Sequence, residues 1–261
     1  MESGKTIGYA LRAGSRYGCR GKRIGKLVKN MRVLVACEES QIVCMAFRAR
    51  GHEAYSCDIQ SPSGGHPEWH IWGDALAAIR GGEIKTMDGV THDIPRWDLL
   101  IAHPPCTYLS NAGARHLWKG HHLQADRVER GIVARDFFMR FWQADVMRIC
   151  VENPIPSRVF SMPDYTQIIQ PYMYGHPYTK KTCLWLKGLP KLHPTQIVDP
   201  VGSWCPSGSY SRSHDDRFRG QFTTDRAKNR AKTFPGIAAA MAEQWGNLDT
   251  GDGADENRKS D

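Results

Sequence analysis

The sequence predicts an α/β domain, a mostly parallel sheet with helices on both faces. Three observations lead there. Short runs of branched apolar residues recur along the chain, segments with helical spacing separate them, and 261 residues with 41% hydrophobic and 24% charged content suffice for one large packed domain. The first run, 31–36, carries Val33, Leu34 and Val35 and reads as a buried strand. A helix follows, with Ser40 placed to cap it, Ile42, Val43, Ala46 and Phe47 at helical spacing, and Gly51 to stop it. Residues 54–57 form the second strand, ending at Asp58, which completes a β-α-β unit.

The alternation continues downstream. Residues 97–102 read as a strand, 126–147 as a long helix holding Phe137, Phe138, Phe141 and Trp142, and 148–151 as the next strand. Residues 182–186 are a further strand, and 235–245 a helix of alanines with Ile237, Met241 and Trp245 on one side.

Charge is distributed unevenly. Residues 1–30 hold eight basic side chains against Glu2, so they carry +7 of the formal +8. With six glycines and few large apolar residues, this stretch reads as a flexible basic arm suited to a polyanion. A second basic stretch, 203–232, contains Arg212, Arg217, Arg219 and Arg226, interleaved with Trp204, Tyr210, Phe218 and Phe222. Cations hold phosphates and aromatic faces stack on bases, so it suits nucleic acid. Residues 247–261 read as an acidic, frayed tail.

Several classes are disfavoured. No apolar run approaches the roughly 20 residues of a membrane span. The first residues lack a secretory signal, so a cytoplasmic protein, bacterial or viral in a host cytosol, is expected, with its eight cysteines as thiols. There is no Cys-x-x-Cys pair, and His116, His121 and His122 have no cysteine nearby, so no metal is expected.

In parallel sheets, ligands bind at the carboxyl ends of the strands. After the strand ending at Ala102 comes His103-Pro104-Pro105-Cys106, and after the one ending at Val151 comes Glu152-Asn153-Pro154. A lone cysteine is most often a small core residue, and Glu-Asn-Pro is a common turn. Together, however, they offer a thiol and an acid to one crevice. A thiolate adds to C6 of a cytosine ring while an acid at N3 stabilises the charge that builds up, and C5 then accepts a methyl group.

At this point the sequence resembles the cytosine-C5 DNA methyltransferases. Pro104-Pro105-Cys106-x-x-Leu109-Ser110 is similar to their nucleophile motif, and Glu152-Asn153-Pro154 to their Glu-Asn-Val/Pro motif. Tyr174-Gly175-x-Pro177 matches the start of their Tyr-Gly-x-Pro-Gln-x-Arg-x-Arg segment, and the helix after Phe234-Pro235-Gly236 falls where their last motif returns to the cofactor. The resemblance covers residues 31–246, in family order. It implies a Rossmann-like S-adenosylmethionine-dependent methyltransferase fold and a monomer acting on duplex DNA with the target cytosine flipped out. Catalytic roles fall to Cys106, Glu152, Lys180 and Lys181. Cofactor contacts fall to Cys37, Glu38, Ser40, Gln41, Asp58 (ribose), Asp74 (adenine) and Phe234, and DNA contacts to Arg212, Arg217, Arg219 and Arg226.

Three departures qualify the resemblance. The first strand leads into Cys37-Glu38-Glu39-Ser40-Gln41 where the family has a glycine-rich loop, so the backbone approaches a cofactor less freely. Gln-x-Arg-x-Arg becomes Tyr178-x-Lys180-Lys181-Thr182, with Thr182 in place of the final arginine. Only about 190–232 remains for target recognition, too little for much of an independent core. Two alternatives stay open: C5 modification of a free cytosine nucleotide, and a non-catalytic DNA-binding relative.

Overall fold

The computed structural model describes residues 30–204 and 230–248. The chain starts with β1 (Arg32–Ala36), α1 (Ile42–Arg48) and β2 (Glu53–Asp58), the β-α-β unit expected from the apolar pattern. β3 (His70–Trp72), α2 (Ala75–Ala78) and a hairpin of β4 (Gly82–Lys85) and β5 (Thr91–Ile94) come next, then β6 (Leu99–Ala102). Beyond the short helix α3 (Asn111–Ala114) and the small hairpin β7 (Trp118–Lys119) and β8 (His122–Leu123) comes the long helix α4 (Ala125–Trp142). The rest comprises β9 (Ile149–Pro154), β10 (Gln167–Ile169), β11 (Tyr178–Thr179), β12 (Thr182–Lys187), β13 (Gly202–Ser203) and α5 (Pro235–Trp245).

Seven strands form the main sheet in the order β10-β12-β9-β6-β1-β2-β3. β12 pairs antiparallel with both neighbours, while β9, β6, β1, β2 and β3 pair in parallel. This is the Rossmann-like α/β arrangement anticipated, with a single reversed strand.

Alternation along β1 shows how one strand feeds two cores. Val33 and Val35 face α1 and α5, where they join Phe47, Ile237, Met241 and Trp245. Leu34 and Ala36 face the other side, where Trp97, Phe138, Phe141 and Trp185 pack. Val33 to Ala36 are completely buried, which accounts for a continuous apolar run rather than an alternating one. Among the described residues, no helix is long and apolar enough to cross a membrane, and no cluster of His, Cys, Asp and Glu is arranged to hold a metal.

Some boundaries differ from expectation. β9 runs on through Glu152, Asn153 and Pro154, which pair with β12, instead of ending at Val151. The long helix stops at Trp142 instead of reaching 147, because the chain turns at Gln143, buries Val146 and delivers Ile149 into the sheet. Asn30, assigned to the basic arm, joins the domain by accepting the Glu53 N–H at 2.9 Å. The remainder of that arm, the tail beyond 248, and Arg212, Arg217, Arg219 and Arg226 lie outside the described residues.

Gly131 shows how closely α4 packs. A Cβ there would overlap the ring of Phe160, which is itself buried. Alanine gains up to about 1 kcal/mol in helix propensity, but overpacking costs about 1–3 kcal/mol. Gly131→Ala is therefore expected to lower Tm, by about 2–4 °C for each kcal/mol lost. A thermal melt with unchanged or raised Tm would show that the Phe160 ring yields at no cost.

Candidate active site

The parallel strands end along one edge, and the sequence places polar residues after each. β6 and β9 are direct neighbours, with Ala102 opposite Val151. His103 to Cys106, just beyond β6, and Glu152 to Pro154, the last residues of β9, therefore lie side by side. Buried Asn153 staples them, its Nδ2 donating to the carbonyl oxygen of Pro104 at 2.8 Å. Farther along the nucleophile loop, Arg127 lies 5.1 Å above the Tyr108 ring and Arg130 donates to the Tyr108 hydroxyl at 3.1 Å, so α4 braces the segment that carries Cys106.

Glu152 is nearly buried, and its Oε2 lies 2.8 Å from Nδ1 of His103, which is equally enclosed. Burial by itself would raise the Glu152 pKa, but the His103 hydrogen bond and the charges of Lys180 and His103 outweigh it and hold the carboxyl below its ordinary value. Cys106 is half-buried. Its thiol is pushed up by burial and then by the Glu152 charge, while Arg230 and Lys180 draw it down. The Cys106 and Glu152 side chains thus sense one another and share the same lysine.

Because β12 is reversed, its first residue, not its last, lies at this edge, with Thr182 opposite Pro154. Lys180 and Lys181, the pair just before it, are separated by the structure. Lys180 acts on Glu152, Cys106 and His103, and its Nζ donates to the carbonyl oxygens of Arg230 at 2.8 Å and Lys232 at 3.4 Å. Lys181 is exposed to solvent and is not among the charges that act on Glu152 or Cys106. A small cleft between Glu152, Lys180, Thr182, Thr233 and Phe234 marks where the two halves of the edge meet. Phe234 packs with Trp204, Tyr178 and His176, its ring centroid 5.1 Å from that of Trp204.

The turn after β1 replaces the expected glycine-rich loop by an unusual route. Cys37 and Gln41 both adopt left-handed backbone, with φ of 58° and 59°, a conformation that side chains other than glycine rarely take. Ser40 does not cap α1, contrary to the sequence reading. The N-cap position belongs to Gln41, and the Glu38 carboxylate reaches the first turn instead, accepting the N–H groups of Val43 at 2.6 Å and Cys44 at 3.2 Å. Two acceptor oxygens on one side chain serve two N–H groups at once, whereas a single hydroxyl serves one. Both Glu38 oxygens are thereby engaged, so Glu38 shapes the turn. Gln41 is completely buried, donating to Ser56 Oγ and the His66 carbonyl oxygen, while Gly64 packs against its Cβ and the Ser40 carbonyl oxygen.

Asp58 stands at the end of β2, as expected. Its Oδ1 accepts the Gln60 N–H at 2.9 Å, and its other oxygen has no partner among the described residues. Asp74, exposed, caps α2 through the Leu76 N–H at 2.9 Å. Burial raises the Cys37 thiol, followed by the charges of Asp58, Cys57 and Asp74, so these turns share one neighbourhood. Two residues that carry no signal in the sequence flank it: Ile59 is 76% exposed and Trp72 61% exposed, the Trp72 indole donating to the Ile59 carbonyl oxygen at 2.9 Å. An apolar pair at the surface thus lies beside two carboxylates. His103 is likewise silent in the sequence, since one histidine before two prolines means little until its neighbour across the sheet is known.

Compared with models of known protein families and with curated proteins, the sequence matches none. Solved structures with some likeness include a protein described as a DNA modification methyltransferase encoded within an E. coli prophage, at 15% identity and a TM-score of 0.39 over 66% of this chain and 53% of that one. Another is the methyltransferase EhMeth of Entamoeba histolytica, at 11% identity and a TM-score of 0.34 over 65% of this chain and 58% of that one. The chain thus spans less than two thirds of either structure.

Proposed function

We propose that this chain transfers a methyl group to C5 of cytosine in DNA through a covalent bond between Cys106 and C6. The observation that carries the reading is the pairing of adjacent strand ends: the Cys106 loop and Glu152 emerge together, stapled by Asn153 and sharing Lys180. S-adenosylmethionine, when bound, supplies the electrophilic methyl group. Asp58 holds its ribose, while Asp74, Ile59 and Trp72 frame its adenine. Cys106 is the nucleophile, Glu152 faces N3, and Lys180 favours the thiolate while offsetting the Glu152 charge. Neither face of C5 and C6 is accessible within the base stack, so the cytosine is flipped out of the duplex. The basic arm and the arginines at 212, 217, 219 and 226 contact phosphates.

The test is incubation with labelled S-adenosylmethionine and either duplex DNA or dCMP, followed by digestion. Label on 5-methylcytosine from DNA is expected. Label in dCMP alone would transfer the activity to free nucleotides, and label on an exocyclic amino group would remove Cys106 from the mechanism.

The cofactor assignment has its own expected result. A hydrogen bond to a charged group contributes about 1.5–3 kcal/mol, so Asp58→Ala should bind S-adenosylmethionine roughly ten- to a hundred-fold more weakly by calorimetry. Binding as tight as the parent's would detach the ribose from Asp58.

A further inference from the structure

His103 occupies a position that the C5 reading leaves without a task. It comes directly after β6, its backbone N–H bonding to the Ala36 carbonyl oxygen at 2.9 Å, so the ring is fixed between the β1 turn and β9. Carboxyl groups approach from both directions. Glu152 on β9 bonds Nδ1 at 2.8 Å, and Glu38 in the β1 turn adds a second negative field. The opposing cations are Lys180, before β12, and, toward Cys106, Arg230. Nε2 is buried with no partner among the described residues.

Burial, with the Glu39 charge behind it, holds the Glu38 carboxyl above its ordinary value, although the His103 charge and the two backbone N–H groups oppose the shift. Both Glu38 oxygens accept those N–H groups. The imidazole is therefore enclosed between two acidic side chains, with one ammonium group nearby. An uncompensated charge at this depth is costly. Burial alone would lower the pKa of the imidazole, yet the Glu152 hydrogen bond and charge, with Glu38 behind them, hold it above the ordinary histidine value.

We propose that His103 is the proton-holding partner of Glu152, keeping on their shared bond the proton that Glu152 passes to cytosine N3 when Cys106 adds to C6. The inference rests on the C5 reading above and adds a proton source to it. The step balances: the thiolate forms the S–C6 bond, the ring electrons take up one proton at N3, and that proton leaves His103 Nδ1 by way of Glu152. Imidazolium becomes imidazole and Glu152 is a carboxylate before and after. When the thiolate is later expelled, the N3 proton returns by the same path. His103 does not touch the reacting atoms in this scheme. It is a positioning residue that acts through Glu152.

The consequence is a defined pH response. Imidazolium is present below its raised pKa and is lost as pH rises through it, which gives the rate an alkaline limb. The Cys106 thiol, also raised, gives the acid limb. In His103→Asn the amide still donates to Glu152 but brings no titratable proton. Glu152 must then take its proton from water, and without the imidazolium its pKa rises again.

The experiment uses the full chain with S-adenosylmethionine and a duplex containing 5-fluorocytosine, which traps the C6 adduct. Adduct formation in His103→Asn should be roughly 10²-fold slower at saturating DNA, as for loss of a general acid–base partner. Its optimum should move to lower pH, with KM for DNA little changed. A second measurement needs no activity: the His103 ring, followed by NMR, should titrate above the ordinary 6.5 in the parent and at or below it in Glu152→Gln. An adduct in the parent with the same rate and pH profile in His103→Asn would overturn the His103 role alone, as would a parent ring titrating below 6.5. No adduct in the parent would overturn the C5 reading and, with it, the step that His103 serves.

Discussion

Cys106→Ser is expected to abolish the 5-fluorocytosine adduct and to reduce methyl transfer by roughly 10³-fold or more, the scale on which removal of a nucleophile acts. The size comes from the local electrostatics. Burial and the Glu152 charge already hold the thiol above its ordinary pKa, against the opposing pull of Arg230, Lys180 and a backbone hydrogen bond. A hydroxyl, intrinsically far less acidic, finds no base in the site strong enough to ionise it. The fold should be unaffected, because Cys106 is half-buried in a loop fixed by Asn153, Arg127 and Arg130 rather than by its own sulfur. Denaturing gel electrophoresis of the trapped complex reads the result. An equally abundant adduct in the serine variant would rule Cys106 out as the nucleophile.

Glu152→Gln should move two measurements in opposite directions. Methyl transfer should fall by roughly 10²–10⁴-fold, because the amide can neither receive nor pass on a proton. The Cys106 thiol should become more acidic, since the carboxylate charge that raises its pKa is gone while Lys180 and Arg230 remain. Alkylation of Cys106 by iodoacetamide, followed by peptide mass spectrometry at fixed pH, should therefore be faster in the variant. Unchanged transfer would reduce Glu152 to a turn residue, and unchanged alkylation would show that the two side chains do not interact.

The parts of this site that are legible in the sequence are those that strand ends dictate. Continuous apolar runs announce β1, β6 and β9 because both faces of each are buried, and the residues after such strands in a parallel sheet must lie at the ligand edge. β3 gives no such signal: it has three residues, with His70 buried through hydrogen bonds to Ser56 and the Gln60 carbonyl oxygen, and Trp72 facing solvent. The β4–β5 hairpin, mostly polar and exposed, is silent for the same reason. Direction is a tertiary property, so nothing within 182–187 reveals that β12 runs backwards and thereby brings Lys180, not Lys181, toward Glu152. Ser40 misleads because short-range capping rules look at the residue before the helix, whereas the group that prevails, Glu38, arrives from several residues upstream through two left-handed positions. His103 is legible only as a residue type, for its meaning comes from a partner 49 positions away.

The clasp formed by Lys180 and the Trp204–Phe234 pair has a bearing on how such a protein diversifies. Trp204 and Arg230 bracket an interval of chain, and both are held within a few ångströms of the Lys180–Phe234 neighbourhood, by ring packing on one side and by a carbonyl oxygen on the other. The scaffold therefore presents two neighbouring sockets whose positions do not depend on what joins them. Doubling the length between fixed ends costs only about 0.6 kcal/mol in closure entropy for a flexible segment. On the function proposed above, the connecting piece is where substrate selectivity can be exchanged: His103 and Glu152 hold one another, and Asn153 holds the Pro104 carbonyl oxygen, through bonds that lie between residues 103 and 153.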